Sequence, residues 1–297
     1  MSIHSTNIKP AYTDFRSVAR ALTIVENDLQ GADELLKNLL FEKPAPIIGI
    51  TGPPGAGKST LVNGIIDELV KKGNKIAVLA IDPTSPFNFG SLLGDRIRMS
   101  SHFNHPDVFI RSLATRGSLG GLSAKTIEMA DVLRGSGFDY VIVETVGVGQ
   151  SEIEIAGLAD ITFVVLVPES GDEIQNIKSG LMEIAGAFII NKADRADADL
   201  FANNLKKIIQ QKGGERLPVF KTIASHGNGI NEIVDFINKG TVLKNKRKEL
   251  LLAEKAYRII QQKRMADVDK KKLQQEIAKA LNEPGFNLYA FIEHFGS

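Results

Sequence analysis

A glycine-rich octapeptide, Gly52–Ser59 (GPPGAGKS), constrains this chain more than any other segment. It fits the pattern GxxxxGK[ST], and the context that this pattern requires is present. Residues 47–51 are predicted to form a β-strand, and residues 60–66 are predicted to begin a helix. The alternative is a glycine-rich turn that binds nothing, and the flanking strand and helix argue against it. We therefore expect the chain to bind a nucleoside triphosphate.

The chemistry of this loop follows from its glycines and from the helix behind it. Glycines let successive backbone N–H groups point toward phosphate oxygens, and the helix N-terminus adds partial positive charge. Lys58 is predicted to reach the β- and γ-phosphates, and the Ser59 hydroxyl is placed to ligate Mg²⁺. The residues predicted to hold the phosphates are Gly52, Pro53, Pro54, Gly55, Ala56, Gly57, Lys58, Ser59 and Thr60.

Short apolar runs alternate with longer stretches of helical spacing from residue 47 to residue 239. This alternation indicates βαβ units and a mostly parallel sheet covered by helices on both faces. Together with the phosphate loop, it predicts an α/β P-loop NTPase fold with a sheet of about seven strands. The predicted strands are 47–51, 75–81, 107–112, 139–145, 161–167, 186–191 and 217–223, and the predicted helices include 58–72, 121–134, 174–185, 198–211 and 229–238.

Helical extensions are predicted at both ends of this region. Residues 13–41 carry apolar side chains at helical spacing, Asp14 can cap them, and Lys43–Pro46 breaks the chain. After Thr241 no strand is predicted, and the pattern indicates two or three helices. The chain therefore divides into an N-terminal helical extension (1–45), a P-loop domain (46–240) and a C-terminal helical arm (241–297).

An NKxD tetrapeptide, Asn191–Asp194, stands at the end of a predicted strand and indicates the base. Guanine presents N1–H and N2–H₂ donors on one edge, and a carboxylate accepts both, which adenine does not offer. Asp194 is predicted to be that carboxylate, with Asn191 and Lys192 shaping the pocket. Ala224 and Ser225, after the next strand, are candidates for a backbone contact to the guanine oxygen. The pattern favours GTP over ATP.

Three acidic residues lie where they can reach a Mg²⁺ ion, which prefers oxygen ligands. Asp82 ends the second predicted strand, Asp95 lies in a long loop, and Glu144 ends the strand before residue 145. A carboxylate at a strand end beside the phosphate loop is the Walker B position. The alternative for each is a solvated loop carboxylate or a helix cap. These three, with Ser59, are candidates for a metal site, and for Asp95 the alternative stays open on spacing alone.

Residues 145–151 (TVGVGQS) suit a loop whose Gly147 amide senses the γ-phosphate. In Ras-like proteins a water-orienting Gln follows such a Gly directly, and here that position is Val148. We therefore expect slow intrinsic hydrolysis, or hydrolysis that needs a group from a partner, as in a switch protein. The residues assigned to catalysis are Lys58, Asp95, Glu144 and Gly147.

Composition excludes several other classes of protein. There are no cysteines, so disulfides, thiolate metal sites and thiol catalysis are ruled out. The net charge of +1 argues against a globally basic nucleic-acid binder. No apolar run approaches the roughly 20 residues of a membrane-spanning helix, and Met1–Phe15 lacks the apolar core of a signal peptide. The expectation is a cytoplasmic protein with no nucleic-acid or membrane partner.

Charge is unevenly distributed, because residues 244–279 carry twelve Lys or Arg against five Asp or Glu. One interpretation is a patch for RNA or an acidic membrane. The favoured alternative is a solvated helical arm with an apolar stripe, since only Tyr257 interleaves with the basic run. His102 and His105 are expected to be ordinary surface residues.

Several segments resemble one family, the methylmalonyl-CoA mutase-associated GTPases (MeaB/ArgK type) of the SIMIBI class. The matching segments are GITGPPGAGKSTLV (49–62), DPTS (82–85), GSLLGDRIRM (90–99), GSLGGL (117–122), VETVGVGQSE (143–152), GDEIQNIKSGLMEIA (171–185) and NKAD (191–194). The resemblance extends over nearly the whole chain, and VETVGVGQSE and the GDxxRM segment are specific to this family.

The resemblance implies a GTPase that serves an adenosylcobalamin-dependent acyl-CoA mutase, gating delivery of its cofactor and protecting or reactivating it. It also implies GTP/GDP and Mg²⁺ as cofactors, Mg²⁺ ligands at Ser59, Asp82, Asp95 and Glu144, and a homodimer formed through the C-terminal helices. The implied switch loops are about 83–99, 144–156 and 169–181. The residues implied to act in switching and coupling are Arg98, Gln150, Asp172, Glu173, Gln175 and Lys178.

The chain departs from the family pattern at four places. Pro86–Phe89 replaces a Ser/Gly-rich stretch, Leu113–Thr115 replaces a Pro/Ser-rich stretch, and Gly186 replaces an Asp. Glu169-Ser170 stands where the family usually has small residues. Two other functions stay open at this stage: a P-loop small-molecule kinase or ATPase, and a GTP-dependent metallochaperone.

Overall fold

Seven strands form one sheet whose paired neighbours all run parallel in a computed structural model of the chain. The structure describes residues 14–82, 99–114, 124–145, 155, 157–169, 182, 185–211, 217–239, 248–283 and 285–294. The strands are β1 (Ile47–Thr51), β2 (Ile76–Asp82), β3 (Val108–Ala114), β4 (Tyr140–Thr145), β5 (Ile161–Leu166), β6 (Ala187–Ile190) and β7 (Val219–Lys221). The predicted α/β P-loop fold with about seven strands is confirmed.

The strand order is β3-β2-β4-β1-β5-β6-β7, so β1 lies in the middle of the sheet. It pairs with β4 on one side, where Ile50 is opposite Glu144, and with β5 on the other, where Thr51 is opposite Val164. All five residues of β1 are buried, as expected for a strand covered on both faces. Because the strands are parallel, the C-terminal ends of β1, β4, β5 and β6 lie at one edge of the sheet.

Helices cover both faces of this sheet. In the described residues they are α1 (Phe15–Glu26), α2 (Ala32–Lys37), α3 (Lys58–Lys71), α4 (Ala124–Arg134), α5 (Ala198–Gln211) and α6 (Ile230–Asn238). The predicted helix 174–185 lies largely outside the described residues.

The buried core alternates along each strand between the two faces. Phe163 and Val165 of β5 pack into a cluster with α3 and α6, which supply Ile65 and Ile233 among others. Val164 and Leu166 of the same strand pack with Phe188 and with α5 through Phe201 and Leu205 on the opposite face. Successive side chains of a strand point to opposite faces, so one apolar run serves both layers.

Two separate helices occupy the N-terminal segment 13–41, where one continuous helical segment is predicted. Asp14 caps α1 as expected, since its carboxylate accepts hydrogen bonds from the backbone N–H of Arg16 and the hydroxyl of Ser17, each at 2.9 Å. The chain then turns through two left-handed residues, Asp28 (φ 53°) and Gly31 (φ 93°), before α2 begins. Leu29, one of the apolar residues at helical spacing in this segment, lies in this turn and is half exposed.

Aromatic stacking and ion pairs attach α1 to the sheet. Phe15 packs edge-on against Phe109 of β3, with ring centroids 5.6 Å apart, and stacks on Phe138 at 5.9 Å. At the other end of α1, Glu26 pairs with Arg111, and Asp28 accepts a 2.7 Å hydrogen bond from Lys125. The N-terminal helices thus belong to the same compact unit as the sheet, which spans Met1–Leu252.

His102 is not the surface residue expected from the sequence. It lies in a short 3₁₀ turn, Ser100–His102, and is 4% exposed. Its Nε2 lies 2.8 Å from Oδ1 of Asp67 on α3, and its Nδ1 lies 3.1 Å from the hydroxyl of Ser101. The prediction failed for His102 because its partner is a carboxylate 35 residues upstream, which local spacing does not reveal.

The second compact unit is Ala253–Ser297, and its described residues are largely helical. Its described elements are the greater part of α7 (Lys248–Arg264), together with α8 (Lys270–Ala280) and α9 (Leu288–His294). No residue of α8 is buried, and Tyr257, Ile260, Leu281 and Tyr289 are exposed. None of the helices in the described part of the chain is long and apolar enough to cross a membrane.

The aromatic contacts of α1 yield a stability prediction. Phe138→Ala removes a side chain that is buried against two other rings, so we expect the free energy of unfolding to fall by about 2–4 kcal/mol. Phe41→Ala, at a half-exposed phenylalanine, is the matched control, with an expected loss below about 1 kcal/mol. Urea denaturation followed by circular dichroism measures both. Equal losses would contradict the packing role of Phe138.

Candidate functional site

The glycine-rich loop leaves β1 through a glycine that no other residue can replace without a shift of the backbone. Gly52 has φ 140°, and a Cβ built there would lie 2.1 Å from the carbonyl oxygen of Val165 on β5. Close approach of two backbones is the usual reason for a glycine at such a position. The loop therefore rests on the neighbouring strand.

Lys58 begins α3 and points back over the loop. Its side chain is only 7% exposed. Its Nζ donates hydrogen bonds to the carbonyl oxygens of Gly52, at 2.7 Å, and Pro53, at 2.8 Å. A buried ammonium and the positive end of α3 thus lie at the same place, which favours a bound anion.

Ser59 and Glu144 bring a hydroxyl and a carboxylate together beside the loop. The Ser59 hydroxyl donates a 2.7 Å hydrogen bond to Oε1 of Glu144, which is 8% exposed. Glu144 reaches this position because β4 lies next to β1. The last residues of β4 and β1 are also joined, because the hydroxyl of Thr145 donates a 3.0 Å hydrogen bond to the hydroxyl of Thr51. The pair Ser59–Glu144 presents oxygen atoms suited to a hard cation.

Asn191 connects the NKxD motif to two other segments. Its side-chain N–H donates to the carbonyl oxygen of Ala56 in the phosphate loop, at 2.8 Å. Its side-chain oxygen accepts from the hydroxyl of Thr222, at 3.0 Å, and from the backbone N–H of Ala224, at 3.1 Å. Asn191 is 2% exposed, so these bonds satisfy a buried polar group.

The other residues of the motif extend this connection. Lys192 has φ 56°, and its Nζ donates a 2.7 Å hydrogen bond to the carbonyl oxygen of Gly55. The backbone N–H of Ala193 donates to the carbonyl oxygen of Thr222 at 3.0 Å. The side chain of Asp194 is exposed beside them. Its carboxylate is thus presented to solvent on a turn that is fastened to the phosphate loop.

An ion pair follows directly after the motif. Arg195 donates a hydrogen bond through Nη1 to the carboxylate of Glu169, which lies just beyond β5. The hydrogen bond from Arg195 is the main reason that the pKa of Glu169 lies below its usual range.

Most of the predicted site residues that the structure describes lie near one another. The phosphate loop, Glu144, the NKxD motif and the segment at Ala224 and Ser225 share one edge of the sheet. Asp82 ends β2, and nothing is described of its side chain. The predicted residues that lie outside the described parts of the chain are Asp95, Arg98, Gly147, Gln150, Asp172, Glu173, Gln175 and Lys178.

Sequence reasoning assigned no role to four side chains that build this edge. Thr51, Thr145 and Thr222 each lie at or directly after the end of a strand, and that position was the available signal. The fourth, Arg195, pairs with a residue 26 positions upstream, which no motif indicates.

The parallel sheet, with a glycine-rich loop between β1 and the N-terminus of α3, defines the class: the chain is a P-loop nucleoside triphosphatase. A family model described as "Methylmalonyl Co-A mutase-associated GTPase MeaB" matches residues 18–280. The chain therefore belongs to this family and is a GTPase that binds GTP and GDP.

Similar proteins come from all three domains of life. A Pyrococcus abyssi protein that is named as a GTPase is 48% identical over 255 residues, covering 81% of this chain and 79% of its own. GTPase ArgK of Escherichia coli is 41% identical over 184 residues, covering 60% of this chain and 55% of its own. The mouse mitochondrial methylmalonic aciduria type A homolog is 36% identical, covering 77% of this chain and 57% of its own.

Among solved structures, a crystal structure of a LAO/AO transport system kinase matches with a TM-score of 0.67 and 23% identity. The match covers 99% of this chain and 97% of that one. At this identity the likeness supports the fold alone.

Two glycines at opposite ends of α3 give a matched test of the loop. Gly57 and Gly73 both have φ 82°, so alanine at either costs about 1–2 kcal/mol of backbone strain. The two positions differ in what a new Cβ would meet. At Gly57 it would lie 2.4 Å from Nδ2 of Asn191, whereas at Gly73 no atom lies within 4 Å of the Cβ position. Gly57→Ala is therefore expected to weaken GTP binding by more than about tenfold, a loss of about 1.4 kcal/mol.

Gly73→Ala is expected to lower thermal stability and leave GTP binding unchanged. Titration calorimetry gives both affinities, and thermal unfolding gives both stabilities. Similar GTP affinities in the two variants would show that the contact between Gly57 and Asn191 does not support the site.

Proposed function

We propose that this GTPase controls an adenosylcobalamin-dependent acyl-CoA mutase, gating delivery of the cofactor and protecting or reactivating the enzyme. The observation that carries the proposal is membership of a family described as mutase-associated, over residues 18–280. The name of the mouse relative, which refers to methylmalonic aciduria, agrees with it. Nucleotide state is the signal, and the mutase is the partner.

In this proposal the phosphates bind within residues 52–60. Lys58 supports this assignment, because its buried ammonium is held by loop carbonyls at the N-terminus of α3. Charge that develops on the phosphates during hydrolysis is stabilised by the same ammonium and by backbone N–H groups of the loop. Lys58 is thus assigned to binding and to catalysis.

Guanine is assigned to the exposed carboxylate of Asp194, which accepts from N1–H and N2–H₂ of the base. Asn191 and Lys192 fix the position of Asp194 by tying its turn to Ala56 and Gly55. The amide of Ala224 already donates to Asn191, so we assign the contact with the guanine oxygen to the amide of Ser225.

A magnesium ion is assigned to Ser59, Glu144, Asp82 and Asp95. The donor set fits, because a hydroxyl and a carboxylate meet at 2.7 Å and all four residues offer oxygen. Mg²⁺, when bound, would neutralise charge on the β- and γ-phosphates. Asp95 and Gly147 complete the catalytic assignment, and Val148 in place of a Gln supports slow intrinsic turnover.

The C-terminal arm is assigned to dimerisation between two copies of the chain. Exposed apolar side chains on α7 and α9 support this assignment, among them Tyr257, Ile260 and Tyr289. The coupling residues Arg98, Gln150, Asp172, Glu173, Gln175 and Lys178 are assigned to communication with the mutase.

Asp194→Asn tests the base assignment. An amide in place of the carboxylate presents an N–H donor to the edge of the base, so guanine is disfavoured and xanthine, with a carbonyl at C2, is accepted. We expect GTP affinity to fall by more than about tenfold, a loss of about 1.4 kcal/mol, while xanthosine triphosphate affinity rises. Competition against a fluorescent nucleotide measures both. Unchanged GTP affinity would remove Asp194 from the base site.

The same variant gives a sharp test of the mutase partner. Affinity-tagged wild-type chain should capture the adenosylcobalamin-dependent acyl-CoA mutase of its own organism in a way that differs between a GTP analogue and GDP. With Asp194→Asn, that difference should disappear with guanine nucleotides and return with xanthine nucleotides.

Failure to capture a mutase with any nucleotide, by a protein that still hydrolyses GTP, would defeat the proposed partner and leave the GTPase assignment intact. Capture that is the same with every nucleotide would defeat the proposed control by nucleotide state.

A further inference from the structure

The turn that carries Asp194 is fastened unequally on its two sides. On the N-terminal side, Asn191, Lys192 and Ala193 are tied by hydrogen bonds of 2.7–3.1 Å to the phosphate loop, to Thr222 and to Ala224. This side of the turn has little freedom to move, because the side chain of Asn191 makes three of these hydrogen bonds and is buried.

On the C-terminal side of Asp194, the next residue is Arg195. Its backbone N–H donates to the carbonyl oxygen of Lys192 at 3.0 Å, which closes the turn. Its guanidinium is attached to Glu169. Two residues further on, the chain passes through a left-handed residue, Asp197 (φ 66°), before α5 begins. The ion pair is thus the side-chain link that fastens this end of the turn.

Glu169 connects Arg195 to the end of β5. It follows β5, whose Leu166 carbonyl accepts a 2.8 Å hydrogen bond from the backbone N–H of Asn191. The pair is half exposed on both sides, at 46% for Arg195 and 51% for Glu169. The pKa of Glu169 is lowered first by the hydrogen bond from Arg195 and also by the charge of Lys192, so the carboxylate is ionised at neutral pH.

We propose that Glu169 and Arg195 are positioning residues that hold Asp194 where it accepts two hydrogen bonds from guanine, and thereby set the preference for GTP over inosine triphosphate. This inference rests on the proposed role of Asp194. Hypoxanthine keeps N1–H and lacks the N2 amino group, so Asp194 makes one hydrogen bond to inosine triphosphate and two to GTP. Displacement of the carboxylate therefore costs GTP more than it costs inosine triphosphate.

The test compares affinities for GTP and inosine triphosphate by displacement of a fluorescent GDP. The variants are Glu169→Gln, Arg195→Gln and the charge exchange Glu169→Arg with Arg195→Glu. An exposed ion pair is a modest interaction, so each single variant should reduce the GTP preference by about two- to fivefold. The charge exchange should recover most of the preference, which a loss of stability alone would not explain.

The matched control is the ion pair of Lys72 and Asp235, which is similarly exposed and lies at the opposite end of α3 from the loop. Lys72→Gln and Asp235→Asn should leave the preference unchanged. If Glu169→Gln and Arg195→Gln also leave it unchanged, the positioning role is overturned. If the wild-type chain does not prefer GTP, the proposed base site itself is wrong.

Discussion

The side-chain amide of Asn191 is buried, and its hydrogen bonds hold together the edge of the sheet that carries the glycine-rich loop and the NKxD motif. They join the phosphate loop, the NKxD turn and the segment after β7, three parts of the chain that local sequence keeps apart. A buried amide that lost one of these partners would leave unsatisfied groups at a cost of about 1–3 kcal/mol. The proposed phosphate and base sites are thereby held at a fixed distance from each other.

Much of the fold could be predicted because the strands are buried on both faces and so form clear apolar runs. The ends of the predicted strands match the observed ones to within about two residues, although β7 is shorter than predicted because both of its ends differ, and α5 has the predicted bounds 198–211. The N-terminal segment was less predictable, since its break includes Asp28, a non-glycine residue with a positive φ, within a run of apolar residues at helical spacing. His102 was misjudged because its partner, Asp67, becomes a neighbour only in the folded chain.

The candidate site was predictable in its motifs and less so in its connections. The glycine-rich loop and the NKxD tetrapeptide carry their chemistry in short patterns, which residue order reveals. The bond between Asn191 and Ala56 spans 135 residues and depends on the order of strands in the sheet. Local spacing gives no signal for such a contact, nor for the pair formed by Glu169 and Arg195.

Strand β5 and the residues just after it contact the glycine-rich loop and the NKxD turn at three positions. The carbonyl of Val165 limits the residue at position 52 to glycine, that of Leu166 holds Asn191, and Glu169 beyond the strand pairs with Arg195. The first contact is with the glycine-rich loop, and the other two are with the NKxD turn and the residue that follows it. A change that displaced β5 would therefore disturb the glycine-rich loop and the NKxD turn at the same time. Ala56 and Asn191, which belong to these two segments, lie 135 residues apart in sequence, yet they depend on the same central strand.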